Sequence, residues 1–465
     1  MQKLIAKYGL AAHLAILAVA PLFLFPFCSD DTIAVTLGWL SLLAGAWTVL
    51  EPSVRSGERL RDSRRRVTNA ILHAPLFWCS LALVVFTGVR ALNTGIELHY
   101  DAETSAWSVS VPLFPILPGV VGSAGNLPFA AAVACVVLLQ ACRHSLGRAA
   151  RMAFFLVASF LSGLAALIAF VAIHEGVSGV SDLLPAADGL GFSFVGFVFG
   201  FYLLAALVAL AAVSEYRWGH LFLLPLTAIG GNAAGLFAFA PPCLSAALAA
   251  ASVVMIVYVV AYSCKTYTSV EGLKQVAIIG MSLALGGLLV VAILPKDVLD
   301  GRLAAFMELK FFPAQFWDVR TTLSAVAFKS WVSRIWIGSG LDSFPLDFRF
   351  AAQEADWTLL PRGAAALPNG WWLLLVEQGI VGAVFFVLPF GFLVFTYFRR
   401  LIGGFGRGWE LPHPACLVAP IALLLLAADG LVDCSALRVE VLMVVFVLLA
   451  VSAASFQRMR GGLNG

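Results

Sequence analysis

Charge is what this sequence has least of. Only 12% of its 465 residues are Asp, Glu, Lys or Arg, against 61% hydrophobic residues. A water-soluble domain cannot hide that much apolar surface, so a polytopic membrane protein is implied. Cys-x-x-Cys is missing as well. The eight cysteines (Cys28, Cys79, Cys135, Cys142, Cys243, Cys264, Cys416 and Cys434) are scattered in or near apolar runs, where each reads as a small hydrophobe. There is no metal-ligand cluster and no nucleotide-binding loop. This predicts no metal, no other cofactor and no nucleotide sugar. No cleavable leader is expected, since the first apolar run, near Gly9–Cys28, reads better as a spanning helix.

What is present is a series of apolar runs of span length, so the fold class is all-α and polytopic. They fall near 8–28, 32–50, 72–92, 121–142, 152–173, 191–214, 220–240, 242–263, 275–295, 371–397, 414–430 and 439–457, which predicts twelve spans. Pro241-Pro242 marks the split between the seventh and eighth. With the amino terminus inside, inner segments carry nineteen of the 29 Lys and Arg residues. Short outer loops are acidic instead, as at Asp30-Asp31, Glu97/Asp101/Glu103 and Glu175/Asp182/Asp188. This bias places both termini in the cytoplasm. The basic run Arg55–Arg66 then reads as an anchor on anionic membrane lipids, not a nucleic-acid site.

One connection stands apart. Residues 296–369 form a long outer loop between a membrane bundle at 1–295 (spans one to nine) and a second at 370–465 (spans ten to twelve). A loop of that length with aromatics and charge is folded or functional. It holds Lys296, Arg302, Lys310, Arg320, Lys329, Arg334, Arg349 and Arg362, matched by an equal number of acids. Such a density of cations on the outer face suggests anion binding. Asp318 to Arg334 predicts an amphipathic helix with 320, 324, 327, 331 and 334 on one face. Gly338 and Gly340 stop it and open a backbone that a ligand can approach.

Three patterns then stand in order. Arg320 leads a helix ending in Gly338-Ser-Gly340-Leu-Asp-Ser-Phe344, and Asn369 precedes Glu377-Gln378-Gly379-Ile-Val-Gly382. Upstream, Gly230-Gly-Asn232-Ala-Ala-Gly235 sits mid-span. With the topology, these patterns over residues 220–395 resemble the O-antigen ligase and O-antigen polymerase family, a resemblance to the family as a whole. It implies a periplasm-facing glycosyltransferase in the bacterial inner membrane. The donor would be a glycan on undecaprenyl pyrophosphate, and the acceptor lipid A-core, another glycan or a protein. The chain departs from the family where a histidine usually precedes the Asn: here the run is Ala366-Leu-Pro368-Asn369, and no histidine occurs in 296–369. It also has Ser263-Cys264-Lys265 as the nearest match to a Ser-Arg-Gly-like pattern.

Displacing a lipid pyrophosphate needs fixed cations, and arginine grips phosphate oxygens in pairs. Arg320 is the first candidate, followed by Arg334 and Arg362, with Gly338, Gly340, Asn369 and Gln378 as substrate-binding candidates. Glu377 is an ionisable group inside an apolar run. It reads as a catalytic base, as a group holding an arginine or the loop, or as a neutral packing residue, and the second role fits best. Polymerase, transport component and non-catalytic scaffold of polysaccharide assembly are the competing functions.

Overall fold

The computed structural model describes residues 2–24, 30–52, 58–92, 98–101, 106–109, 146–176, 194–215, 221–266, 269–312, 316–340, 343–344, 348, 369–405, 413–432 and 439–457. The run at 121–142 and Arg362 lie outside them. The other apolar runs are helical. The order is α1 (Gln2–Leu24), α2 (Asp30–Leu50), α3 (Leu60–Leu72), α4 (Pro75–Leu92), then β1 (Leu98–Asp101) and β2 (Ala106–Val109). α5 (Arg148–His174), α6 (Phe194–Glu215), α7 (Leu223–Phe239), α8 (Pro242–Thr266) and α9 (Ser269–Ile293) follow. Then come α10 (Lys296–Met307), α11 (Phe316–Ser333), α12 (Gly370–Phe405), α13 (Ala415–Val432) and α14 (Val439–Gln457).

Among the described residues, six segments are long and apolar enough to cross a membrane, in α5, α6, α8, α9, α12 and α13. α1, α2, α7 and α14 add shorter apolar segments. The protein is a multi-pass membrane protein. It is not wholly helical: β1 and β2 pair antiparallel, Leu98 opposite Val109, in what the sequence marks as an outer loop. Each strand mixes β-favouring and polar residues over four positions, too short and too polar for a span.

α6 is apolar on every side, and all its residues from Val195 to Val213 are buried. A helix with no polar face belongs in the centre. α5, α7 and α8 pack around it. α7 ends where Pro241-Pro242 interrupts it, and Pro242 opens α8 at a position that needs no amide hydrogen.

The Gly230–Gly235 pattern is the packing node of this bundle. A Cβ at Gly231 would lie 2.5 Å from the Gly163 carbonyl oxygen of α5, and one at Gly286 of α9 would lie 2.7 Å from the Gly230 oxygen. Close backbone approach through small residues is how membrane helices gain contact area. Asn232, fully buried, supplies the polar link. Its Oδ1 accepts from Ser162 Oγ at 2.7 Å, and its Nδ2 donates to the carbonyls of Ser159 at 2.9 Å and Ala228 at 2.7 Å.

The segment 296–369 is not simply a loop, since it contains α10 and α11. α10 is tied down by Arg302, which is 8% exposed and donates from Nη1 to the carbonyls of Phe237, at 2.6 Å, and Ala240. These carbonyls end α7, where a cation is favoured. Burial lowers the Arg302 guanidinium to about 10, so it stays charged at neutral pH.

α11 is the helix expected from Asp318, and the structure adds which of its faces is buried. Its buried side is Phe316, Val319, Leu323, Val326, Ala327 and Ser330, while Trp317, Phe328 and Val332 are exposed. Apolar residues on both sides leave no clean polar stripe. The packing partner selects the face: Val319, Leu323, Val326 and Ala327 cluster with Leu373 and Val376 of α12 and with Phe344 and Phe348.

Candidate functional site

α12 is broken at Gly379, where φ is 65° and ψ is −174°. In an unbroken helix the Ile380 and Val381 amides would pair with the Val376 and Glu377 carbonyls. Here all four groups turn to the segment just after α11. Ser339 N donates to Val376 O at 2.7 Å and Gly340 N to Glu377 O at 3.0 Å, while Ile380 N donates to Ile335 O and Val381 N to Trp336 O, both at 3.0 Å. The break is therefore satisfied bond for bond, as a poorly solvated backbone requires.

Glycine makes this joint possible from both sides. Gly338 has φ 71° and Gly340 φ 113°. A Cβ at Gly338 would sit 2.5 Å from Gly379 N, and one at Gly379 would sit 2.4 Å from the Trp336 carbonyl carbon. The first two sequence patterns thus meet in space, glycine against glycine. Gly338 and Gly340 are spent on α12, and Glu377 and Gln378, both buried, lie in the same joint. One turn on, Gly382 leaves room for the Phe86 ring of α4 beside Gln378.

Asn369 begins α12. Its Oδ1 accepts from Trp372 N at 3.0 Å, an N-cap, and its Nδ2 donates to Leu431 O of α13 at 3.2 Å. Trp371 Nε1 donates to Ala427 O at 3.0 Å. Between these two contacts on α13 sits Asp429, 8% exposed. Below them an apolar cavity of about 220 Å³ separates α12 from α13, lined by Trp371, Leu374, Phe386, Leu423 and Gly430 among others.

The candidate arginines are not brought together. Phe328 and Trp331 touch Trp372, with ring centroids 5.8 Å and 6.1 Å away, and Ile335 bonds Ile380, so α11 and α12 run side by side in the same direction. Arg320 lies fifteen residues before Ile335, which puts it roughly 18 Å beyond Glu377 along the shared axis. Its guanidinium sits over the Phe316 ring, 5.3 Å from the centroid. Arg334, exposed at the foot of α11, is a cation at the level of the joint, and its carbonyl accepts from Gly338 N at 2.9 Å. No ion pair joins Arg334 to Glu377 among the described residues.

No protein-family model matches the chain, and no curated protein matches it.

Asp429 and Arg302 escaped the sequence reading. Asp429 is the sole charge in α13, so the rule that flagged Glu377 finds it too. Arg302 had no signal beyond being one loop cation among eight, because its value comes from meeting the end of α7. Among the described residues no group of His, Cys, Asp and Glu is arranged to hold a metal ion.

Proposed function

We propose that the protein is a glycosyltransferase of the O-antigen ligase type, in the bacterial inner membrane with both termini cytoplasmic and the joint at the outer face. It moves a glycan from undecaprenyl pyrophosphate to an acceptor hydroxyl. The observation that carries this reading is the joint itself. The Gly338-x-Gly340 and Glu377-Gln-Gly379 patterns, far apart in the chain, form one backbone unit with a free-standing arginine beside it.

Helix length supports the placement. The apolar part of α12 after the break, residues 380–398, is about 28 Å long, close to the ~30 Å hydrocarbon layer. Counting about 20 residues back from Arg399 reaches Gly379, so Glu377 sits at the outer boundary and not mid-membrane. The cavity between α12 and α13 offers an apolar wall to a lipid chain.

In the reaction the acceptor oxygen bonds to the anomeric carbon, the bond from that carbon to the pyrophosphate oxygen breaks with the electron pair leaving on the pyrophosphate, and the acceptor proton passes to water. Negative charge grows on the leaving pyrophosphate. Arg334 grips it, its planar fork meeting two phosphate oxygens, and takes precedence over Arg320 because it stands at the joint. Glu377 positions the joint beneath it.

The test is purified protein in detergent with an undecaprenyl pyrophosphate-linked glycan and acceptor, without nucleotide. Lipid pyrophosphate should be released and the acceptor glycosylated. Arg334→Ala should abolish both at unchanged melting temperature, and Arg334→Lys should restore little. No release by the parent protein would reject the transferase. A transporter reading is favoured by the helix break, since discontinuous helices line substrate paths. It predicts movement of intact lipid-linked glycan across proteoliposomes.

A further inference from the structure

α3 joins α2 to α4 and is unlike every apolar helix around it. Its sequence is LRDSRRRVTNAIL, and only Ser63, Val67 and Ile71 are buried, one stripe at i, i+4, i+8. α3 and α4 meet at a bend of 66°. α3 therefore turns away from the axis of α4, between the end of α2 and the start of α4.

Its arginines divide by what they hold. Arg64 donates from Nε at 3.0 Å and Nη2 at 2.6 Å to the Leu50 carbonyl, at the end of α2. Arg66 forks onto Glu58 at 3.0 Å and 3.1 Å, with a further bond to Ser63 Oγ at 3.0 Å. These two weld α3 in place. Arg61 and Arg65 do neither. Both are exposed, neither is in an ion pair among the described residues, and at i, i+4 their guanidiniums share a face. Asp62, also exposed, lies about 100° or less of helical turn from that face, on the side of Asn69.

Further along the same face come Leu72, 47% exposed, and the Trp78 indole, 52% exposed, which donates to the Leu72 carbonyl at 2.7 Å. An exposed tryptophan at the start of an apolar helix sits at headgroup level. The face therefore runs from two unpaired cations to an apolar edge, the order in which a leaflet presents phosphate and then acyl chain.

We propose that the Arg61/Arg65 face of α3 binds the phosphodiester headgroups of anionic phospholipids at the membrane surface. Arg64 and Arg66 hold the helix and Arg61 and Arg65 hold the lipid. This is independent of the transferase reading.

The test uses the full chain in a neutral detergent, titrated with short-chain phosphatidylglycerol or phosphatidylcholine, with bound lipid counted by native mass spectrometry. The parent should prefer phosphatidylglycerol. Roughly fivefold per surface arginine is expected, so Arg61→Gln with Arg65→Gln should lose that preference by more than about tenfold at unchanged melting temperature. The paired Lys variants should keep most of it. Arg64→Gln should lower the melting temperature and keep the preference. Inorganic phosphate should not displace the lipid. Full preference in the double Gln variant overturns the proposal. So does displacement by inorganic phosphate at concentrations comparable to the lipid, which would mark a soluble-anion site.

Discussion

Gly231 and Gly379 each let one main chain touch another, yet only Gly379 interrupts its helix. At Gly231, α7 remains regular and the neighbouring Gly163 offers a surface to pack on, with Asn232 adding the polar link. At Gly379 the helix gives up two of its own hydrogen bonds and remakes them with a different segment. The first contact is adhesion between finished helices. The second is shared secondary structure, in which neither segment is complete alone. Adhesion yields gradually to substitution. A shared backbone should fail as a unit.

Gly379→Ala is the sharpest way to break the comparison. The added methyl meets main-chain atoms at 2.4 Å and the backbone has φ 65°. A loss of more than about 3 kcal/mol is expected from strain and unpaired groups together, seen as failed expression or a collapsed detergent melting transition. Near-parental melting would show that the joint re-forms around a methyl group. Gly231→Ala should cost less, about 1–3 kcal/mol, because α5 and α7 can part slightly. A larger loss at Gly231 than at Gly379 would reverse the distinction drawn here.

Glu377 separates side chain from main chain in the joint. Its carbonyl takes part whatever the side chain is, so Glu377→Gln should leave the melting temperature unchanged and reduce transfer only partly. Glu377→Ala should reduce it further. If the Gln variant is inactive and as stable as the parent, Glu377 belongs among the catalytic residues. At Asn369→Ala loss of the cap should cost about 1 kcal/mol, the smallest of the stability losses expected here, read as a small drop in melting temperature.

Most of this fold is written in hydropathy. The runs at 152–173 and 191–214 return as α5 and α6 almost residue for residue, because twenty apolar side chains in a row leave few other structures. The glycine patterns were legible as special positions, but not their partners. Nothing local to Gly338 says that Gly379 lies against it, since the pairing is long-range and uses main-chain atoms common to every residue. Which face of α11 is buried was not legible for a related reason. Apolar side chains stand on more than one side of it, and the packing on Leu373 and Val376 decides which stripe is buried. Arg334 rose above Arg320 only when the axial offset between α11 and α12 was known.

The joint also carries a lesson for exchange and design. Its four bonds come from peptide groups of Val376, Glu377, Ile380 and Val381 on one side and Ile335, Trp336, Ser339 and Gly340 on the other. Apart from the glycines, no side chain enters that pairing. Residues on either side of it answer to their own packing, as Val376 does, and the pairing itself requires only Gly338, Gly340 and Gly379. The stretch from α11 to Gly340 thus behaves as a cassette with a universal plug. Replacing it with a different helix that ends in the same glycine turn and keeps the face packed on Leu373 and Val376 should preserve the joint and leave the rest of the bundle as it is.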